Sequence, residues 1–108
     1  MDINKIRAKT AVVGLAETGC GLAPGWNAME LMATAVYDAL DDAGLSIKEV
    51  DGLFAATAFH SMAAMSLSEY LGIRPKFADG SNIGGSSFLA HILTAAMALD
   101  AGLINVAV

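Results

Sequence analysis

A long apolar segment near the carboxyl end of the chain constrains the fold more than any other feature. Residues 88–99 contain only two polar side chains, His91 and Thr94. A helix without a polar face has to be covered by other protein, so the sequence predicts a buried central helix. The turn before it, residues 79–87, is rich in small side chains. Because the amino end of a helix carries free N–H groups and a partial positive charge, we expect this turn to hold an anion or a developing oxyanion.

The whole chain of 108 residues shares this apolar character. Hydrophobic residues make up 56% of it and charged residues 16%, with a mean hydropathy of +0.57. So few polar side chains cannot cover a large surface, and we expect the chain to pack against further protein and to be poorly soluble alone. A net charge of -5 and a pI near 4.6 argue against a surface for nucleic acid or for an anionic membrane.

Several observations favour a cytoplasmic protein. The single cysteine, Cys20, excludes an intramolecular disulfide framework. A lone loop cysteine is interpreted as incidental rather than as a nucleophile. The first ten residues lack the apolar core of a secretory signal. The apolar segment is also too short to span a bilayer, so no membrane span is predicted.

Short apolar runs alternate with helical patterns along the chain. Strands are predicted at residues 10–15, 53–57, 76–78 and 103–108, a helical turn at 47–50, and helices at 26–43, 61–71 and from 86 onward. This alternation predicts an α/β fold with a mixed, mostly parallel sheet and helices on both faces. Ligands of such sheets bind beyond the carboxyl ends of the strands. Because the chain ends on an apolar strand without a cap, we expect it to be an incomplete domain.

The glycine-rich loop after the first predicted strand does not qualify as a dinucleotide site. Gly19 and Gly21 are not followed by a third glycine at the required spacing, and Pro24 precedes the next helix. With two histidines and one cysteine in the chain, no metal site is expected either.

Polar residues near strand ends and at the start of the apolar helix are the candidates for a site. His60 follows a predicted strand and is favoured over His91, which we interpret as a satisfied core histidine because it lies on the apolar helix. Ser86 and Ser87 open that helix. Either they cap it, or one of them is a nucleophile; the residues alone leave both interpretations open.

Three segments of the sequence resemble one known family. They are AVVGLAET, MELMATAVYDALDDAGLSIKEVDGLF and SLSEYLGIRPKFADGSNIGGSSFLAHILTAAMALDAGLINVAV. Together they resemble the amino-terminal part of thiolase-like proteins of the sterol-carrier-protein-X, or lipid-transfer, type, and residues 69–108 are the most specific part. The resemblance implies that residues 1–108 are a thiolase-like amino-terminal half. The thiolase fold has two similar halves, and its later half supplies a histidine and a second cysteine. It also implies a homodimer that packs through residues 76–78.

In catalytic thiolases the buried helix begins with a cysteine nucleophile, which takes the acyl group from coenzyme A. The resemblance places Gly84 at that position, and glycine has no side chain to acylate. It therefore implies a pocket that holds an acyl-CoA thioester and its enolate without a covalent bond. The candidate catalytic residues are Ser86 and Ser87, and the candidate substrate-binding residues are His60, Asn82, Gly84 and Gly85.

Members of this family without the cysteine include enzymes that cleave a β-hydroxyacyl-CoA by retro-aldol chemistry, as in steroid side-chain degradation. They are similar in working with a small zinc-ribbon/OB-fold partner. The resemblance thus implies an acyl-CoA-directed aldolase of lipid metabolism, with a coenzyme A thioester as substrate and no tightly bound cofactor. Two alternatives stay open. One is an acyltransferase of the acetyl-CoA acetyltransferase type that uses Ser86 or Ser87, and the other is a non-catalytic lipid- or partner-binding subunit.

Overall fold

The computed structural model describes residues 2–19 and 21–108. Cys20 lies outside these residues, so its interpretation as an incidental cysteine stays a prediction. In chain order the described elements are the 3-10 turn Ile3–Lys5, α1 Ala28–Ala43, the 3-10 turn Ile47–Glu49, β1 Gly52–Phe54, α2 Ala63–Leu71, β2 Phe77–Asp79 and α3 Ser87–Asp100. The predicted α/β class is confirmed. None of these described helices has the length and apolar character needed to cross a membrane.

Local hydrogen bonds set both ends of α1. The side chain of Asn27 accepts a hydrogen bond from the N–H of Glu30 at 2.9 Å, and the Glu30 carboxylate accepts one from the N–H of Asn27 at 3.1 Å. This capping box satisfies amides that the first helical turn leaves free. Gly44 ends the helix at a φ of 70°, a left-handed conformation that glycine adopts without a steric penalty.

A short parallel sheet lies at the centre of the fold. β1 pairs in parallel with β2, and Gly52 lies opposite Phe77. On the other side of β1, the N–H of Gly52 donates to the Val106 carbonyl at 3.0 Å, and that of Phe54 donates to Val108 at 2.8 Å. The carboxyl-terminal residues thus add a third parallel row, which is shorter than the strand predicted there.

Asp51 attaches that third row to β1. Its carboxylate accepts hydrogen bonds from the backbone N–H groups of Asn105 and Val106, both at 2.9 Å. Partial burial would raise the pKa of Asp51, but the bonds from Val106 and Asn105, helped by the charge of Lys76, lower the pKa below its ordinary value. The ionised carboxylate therefore stabilises the connection between the two segments.

Side chains of β1 and the residue after it alternate between two helical layers. Leu53 and Ala55 are buried on one face. They pack with a cluster from α1 and α2 that comprises Ala33, Ala63, Ala64, Leu67 and Leu71. Phe54 points to the other face, where its ring centre lies 5.8 Å from that of His91 on α3. Helices therefore lie on both faces of the sheet, as predicted.

Residues 10–15 do not form the predicted strand. The N–H of Leu15 donates to the Asp42 carboxylate of α1 at 3.0 Å. Gly14 lies so close to α1 that a Cβ on it would come within 2.9 Å of the Ala43 Cβ. Val12 is left 81% exposed. A β-branched composition makes a segment compatible with a sheet, but a strand also needs another strand to pair with its backbone. Here the segment lies against α1 instead of beside a strand.

The prediction of a buried central helix requires a correction for α3. Ser87, His91 and Ala98 are buried, whereas Phe88 is 55% and Leu89 72% exposed. An apolar composition indicates that a helix is more stable when it is covered, but it does not determine which segments cover it. Within residues 2–19 and 21–108, the sheet covers one side of α3 and no element covers the side that carries Phe88 and Leu89.

Candidate active site

The turn between β2 and α3 lies beyond the carboxyl ends of the parallel strands, where the sequence predicts a site. It begins with Asp79, whose carboxylate accepts hydrogen bonds from the Ser81 hydroxyl at 2.6 Å and the Ser81 N–H at 2.7 Å. The hydroxyl bond, and after it the amide bond, lower the pKa of Asp79; partial burial opposes them and the nearby His91 assists. Asp79 therefore carries its charge at neutral pH and anchors the first part of the turn.

Asn82 connects the turn to the loop that follows β1. Its amide nitrogen donates to the Thr57 carbonyl at 3.3 Å, and its side-chain oxygen accepts a hydrogen bond from the N–H of Gly84 at 3.2 Å. The side chain is exposed. Asn82 therefore lies where a bound molecule can reach it, but its carboxamide already satisfies the Gly84 amide.

Two glycines form the most open part of the turn. Gly84 has a φ of 83°, in the left-handed region that residues with a Cβ rarely adopt. A Cβ placed on Gly84 or Gly85 would meet no atom within 4 Å other than those of its neighbours in the chain. The space above both residues is therefore free, and the backbone conformation at Gly84 is the feature that favours glycine there.

Ser86 and Ser87 differ sharply in their surroundings. Ser87 is completely buried, and its hydroxyl accepts a hydrogen bond from the N–H of Ile83 at 2.8 Å and donates one to the Gly84 carbonyl at 2.7 Å. Ser86 is exposed at the amino end of α3 and makes no capping hydrogen bond. The positive end of the helix therefore has no side-chain cap from Ser86. A catalytic role for either serine stays a prediction.

His60 lies in the loop after β1 and is exposed. A ring nitrogen, Nε2, is 2.7 Å from the hydroxyl of Ser66 on α2, so the imidazole is bonded towards α2 rather than towards the turn. The loop of His60 is tied to the turn through Thr57 and Asn82. Its substrate-binding role stays a prediction. Across the described part of the chain, no group of three or more His, Cys, Asp or Glu side chains is placed to hold a metal ion.

His91 has the surroundings of a satisfied core histidine, as predicted. It is 5% exposed, and its Nε2 lies 2.9 Å from the carbonyl oxygen of Ser81. Phe54 and Phe88 both contact the ring, the latter edge-on at a centre-to-centre distance of 6.2 Å. His91 therefore links the hydrophobic packing of α3 to the backbone of the turn.

The sequence reasoning missed Asp79, Ser81 and Thr57 as parts of this arrangement. The spacing of Asp79 and Ser81 was a usable signal, because an aspartate commonly bonds the backbone two residues further on. Nothing comparable marked Thr57, which takes part through its backbone carbonyl and so through a group that every residue has.

No protein-family model matches the chain. In sequence it is 34% identical, over 104 residues, to the 17-hydroxy-3-oxo-4-pregnene-20-carboxyl-CoA lyase of Mycobacterium tuberculosis (strain ATCC 25618 / H37Rv). That match covers 95% of this chain and 27% of the lyase. In structure it is similar to the Ltp2-ChsH2(DUF35) aldolase, with a TM-score of 0.73, 26% identity, and coverage of 90% of this chain and 25% of that one.

The chain has a thiolase-like fold. Its fold is also similar to cerulenin-bound OleA of Xanthomonas campestris, with a TM-score of 0.64, 23% identity, and coverage of 75% of this chain and 25% of OleA. For 3-oxoacyl-(acyl carrier protein) synthase III of Xanthomonas oryzae the TM-score is 0.60 at 23% identity, with coverage of 74% and 25%. At these identities the two likenesses concern the fold alone.

The chain spans about a quarter of the length of the lyase and the aldolase that it matches. The resemblance noted in the sequence is confirmed, and it is consistent with the amino-terminal portion of such a protein. Specific catalytic or binding roles stay predictions for Ser86, Ser87, Asn82, Gly84, Gly85 and His60.

Proposed function

We propose that this thiolase-like chain is part of an acyl-CoA-directed enzyme that lacks the cysteine nucleophile and cleaves a β-hydroxyacyl-CoA by retro-aldol chemistry. The observation that carries the proposal is Gly84, at the position that the resemblance assigns to the nucleophile, beside an uncapped amino end of α3. We further propose that residues 1–108 are the amino-terminal portion of a larger thiolase-like domain and that the protein is cytoplasmic.

The proposed reaction needs no covalent bond to the protein. A base removes the proton of the β-hydroxyl group, the bond between Cα and Cβ breaks, and Cβ becomes a carbonyl carbon. The electron pair of that bond passes to Cα and forms the thioester enolate, which a proton then converts to the shorter acyl-CoA. Negative charge develops on the thioester oxygen, and backbone N–H groups at a helix amino end are suited to stabilise it.

Two features of the turn support this assignment. Apart from their neighbours in the chain, no atom lies within 4 Å of the Cβ positions of Gly84 and Gly85, which leaves room for a molecule to approach them. The backbone around this opening is held by two hydrogen bonds, one that Asn82 accepts from the Gly84 N–H and one that Ser87 donates to the Gly84 carbonyl, so its dipoles need little reorganisation when charge develops. We assign Asn82, Gly84, Gly85 and His60 to substrate binding, and we expect the catalytic base to come from residues outside this chain.

The names of the relatives support the class of reaction. One is a lyase whose named substrate is a steroid-derived CoA thioester, and the other is an aldolase. Both names describe cleavage of a molecule rather than acyl transfer. On this basis we propose a coenzyme A thioester as the substrate, within lipid or steroid side-chain degradation.

We propose two protein partners. The first is a second copy of the chain, since β2 pairs only with β1 among the described residues and its other edge, near residues 76–78, is free to pair. The second is a zinc-ribbon/OB-fold protein, because the aldolase relative is named as a complex with a DUF35 protein.

Ser86 favours one alternative, an acyltransferase. Its hydroxyl is exposed at the amino end of α3 and forms no capping bond, so it is free to accept an acyl group. Incubation of the full-length protein with an acyl-CoA, followed by peptide mass spectrometry, tests this alternative. An acyl adduct on Ser86 or Ser87 would support it, whereas an unmodified peptide under turnover conditions would remove it.

The cleavage reaction is tested with the full-length protein and a β-hydroxyacyl-CoA, with and without a DUF35-type partner. We expect a shorter acyl-CoA and an equimolar aldehyde or ketone, both measured by liquid chromatography and mass spectrometry. The S86A variant is the matched control, since a non-covalent reaction does not need that hydroxyl. Substrate binding without any product, with the partner present, would contradict the proposal and favour a non-catalytic binding subunit.

A further inference from the structure

The imidazole of His91 is the buried titratable group that the proposed reaction does not use. It lies on α3, four residues after the first residue of that helix, and is 5% exposed. Its ring packs between Phe54 of β1 and Phe88, at centre-to-centre distances of 5.8 and 6.2 Å. Because both phenylalanine rings pack against it, the imidazole has little freedom to rotate, and the direction of its hydrogen bond is fixed.

That direction leads to the backbone of the candidate turn. Nε2 of His91 lies 2.9 Å from the Ser81 carbonyl oxygen. A carbonyl oxygen can only accept a hydrogen bond, so Nε2 has to carry the proton. His91 therefore donates to Ser81 through Nε2.

The other end of Ser81 is held by Asp79. The Asp79 carboxylate accepts from both the N–H and the hydroxyl of Ser81, at 2.7 and 2.6 Å. Ser81 is thus bonded through its amide, its side chain and its carbonyl. With these three groups fixed, the peptide plane between Ser81 and Asn82 has one orientation, which sets where the Asn82 side chain begins.

We propose that His91 is a positioning residue for the candidate site, acting through Ser81 on Asn82 and Gly84. This proposal rests on the proposed function for its catalytic consequence, but the positioning itself concerns only the turn. When the His91 bond is absent, the Ser81 carbonyl is free to rotate, and Asn82 loses its alignment with the Gly84 N–H, now at 3.2 Å. The open amino end of α3 then no longer faces a fixed turn.

Substitution of His91 in the full-length protein separates this role from simple packing. H91L introduces an apolar side chain of similar volume that has no donor, whereas H91Q places an amide N–H near the position of Nε2. Misplacement of a site by about 1 Å can cost about a hundredfold in rate. We therefore expect H91L to lower kcat by about ten- to a hundredfold and to raise KM, because Asn82 is assigned to substrate binding, and we expect H91Q to recover most of both.

The matched control is T94V on the same helix. The Thr94 hydroxyl donates to the Ala90 carbonyl at 3.1 Å, so T94V also removes a hydrogen bond from α3, but one that does not reach the turn. We expect T94V to keep the wild-type kcat. If H91Q and H91L lose equal activity in proportion to their loss of thermal stability, His91 acts through packing alone and the proposal is overturned.

A second measurement does not depend on activity. Amide hydrogen exchange at residues 82–85, with the ¹⁵N chemical shift of the His91 ring, reports the bond to Ser81 directly. We expect a protonated Nε2 in the wild type and faster exchange at 82–85 in H91L than in H91Q. Equal exchange in both variants would refute the positioning role even if the wild type is an active lyase. If the wild type is inactive but the exchange pattern holds, the proposed function fails and the positioning role stands.

A replacement variant is available if H91L does not fold. Should H91L fail to fold, H91N takes its place, because the amide of asparagine lies near the Nδ1 position of histidine and does not reach the Ser81 carbonyl. Rescue by H91Q but not by H91N supports positioning. Equal behaviour of these two variants opposes it.

Discussion

Replacing Ser87 by alanine tests whether its hydroxyl holds the turn before α3 or carries an acyl group. The hydroxyl accepts a hydrogen bond from Ile83 at 2.8 Å and donates one to Gly84 at 2.7 Å, inside a completely buried residue. A net hydrogen bond contributes about 1 kcal/mol, and a buried group left without its partner costs about 1–3 kcal/mol. Since S87A removes two bonds, we expect the free energy of unfolding to fall by about 2–3 kcal/mol.

Urea denaturation of the full-length protein, followed by circular dichroism, measures this change. The slope of the free energy against urea should stay constant, because S87A alters a turn and not the area exposed on unfolding. The control is S86A, which removes an exposed hydroxyl without a capping bond and should change the free energy by less than about 0.5 kcal/mol.

The two serine variants also distinguish the catalytic interpretations. A fall for S87A no larger than that for S86A would refute the structural role of the Ser87 hydroxyl. If Ser87 were instead the nucleophile of an acyltransferase, S87A would abolish an acyl adduct that mass spectrometry detects in the wild type and in S86A. The proposed cleavage predicts no adduct in any of the three proteins.

Three further substitutions test the turn and the sheet. D51N should lower the free energy of unfolding at neutral pH by about 1–2 kcal/mol. Hydrogen bonds to charged groups contribute about 1.5–3 kcal/mol, and solvent screening reduces this value because the carboxylate is partly exposed. The folded pKa of Asp51 lies below the unfolded value, so its contribution to stability is complete above about pH 4 and is lost as the pH falls through the folded pKa. Urea denaturation from pH 7 to 2 should therefore show that D51N loses less unfolding free energy in acid than the wild type. An equal loss in both proteins would contradict this. G84A should cost about 1–2 kcal/mol because a Cβ at a φ of 83° is strained, whereas G85A, also open but without a positive φ, should cost less; equal midpoints in thermal unfolding would argue against strain at Gly84. G52A should lower the thermal midpoint, since its Cβ would come within 2.5 Å of the Ile104 Cδ1, and an unchanged midpoint would mean that the Ile104 side chain moves aside at little cost.

Local patterns in the sequence predicted the helices well, because their signals are satisfied within a few residues. A helical turn was predicted at residues 47–50, and the structure has one at Ile47–Glu49, where a capping box places the Glu49 carboxylate 2.7 Å from the Ser46 N–H. Gly44 and Gly72 both end helices in the left-handed conformation. Such bonds depend on neighbours in the chain and not on the rest of the fold.

Predictions that depend on distant neighbours were less successful. Residues 10–15 have the composition of a strand, but Gly14 lies against α1 and the backbone pairs with no strand. The apolar face of α3 correctly predicted that His91 is buried, yet Phe88 on the same helix is exposed. Composition reports the tendency of a segment, whereas pairing and burial depend on which other segments reach it.

The site shows the same division. Gly84 was singled out by the resemblance, and the residue has the open space and left-handed backbone that make glycine suitable there. The hydrogen bonds that hold the turn were not predicted, because most of them go to backbone groups, which every residue has. Asn82 reaches Thr57, 25 residues earlier, through such a group.

The arrangement around Gly84 is a rigid frame with an open centre. Four side chains around Gly84 hold the turn by hydrogen bonds, those of Asp79, Asn82, Ser87 and His91. None of them fills the space above Gly84. A covalent mechanism would place its reactive atom in that space, and the turn has no side chain there. Stabilisation of an enolate makes a different demand: dipoles that are already fixed before charge develops, next to room for the substrate. Because the surrounding side chains supply the rigidity, the centre can be glycine, and the proposed non-covalent cleavage is consistent with that arrangement.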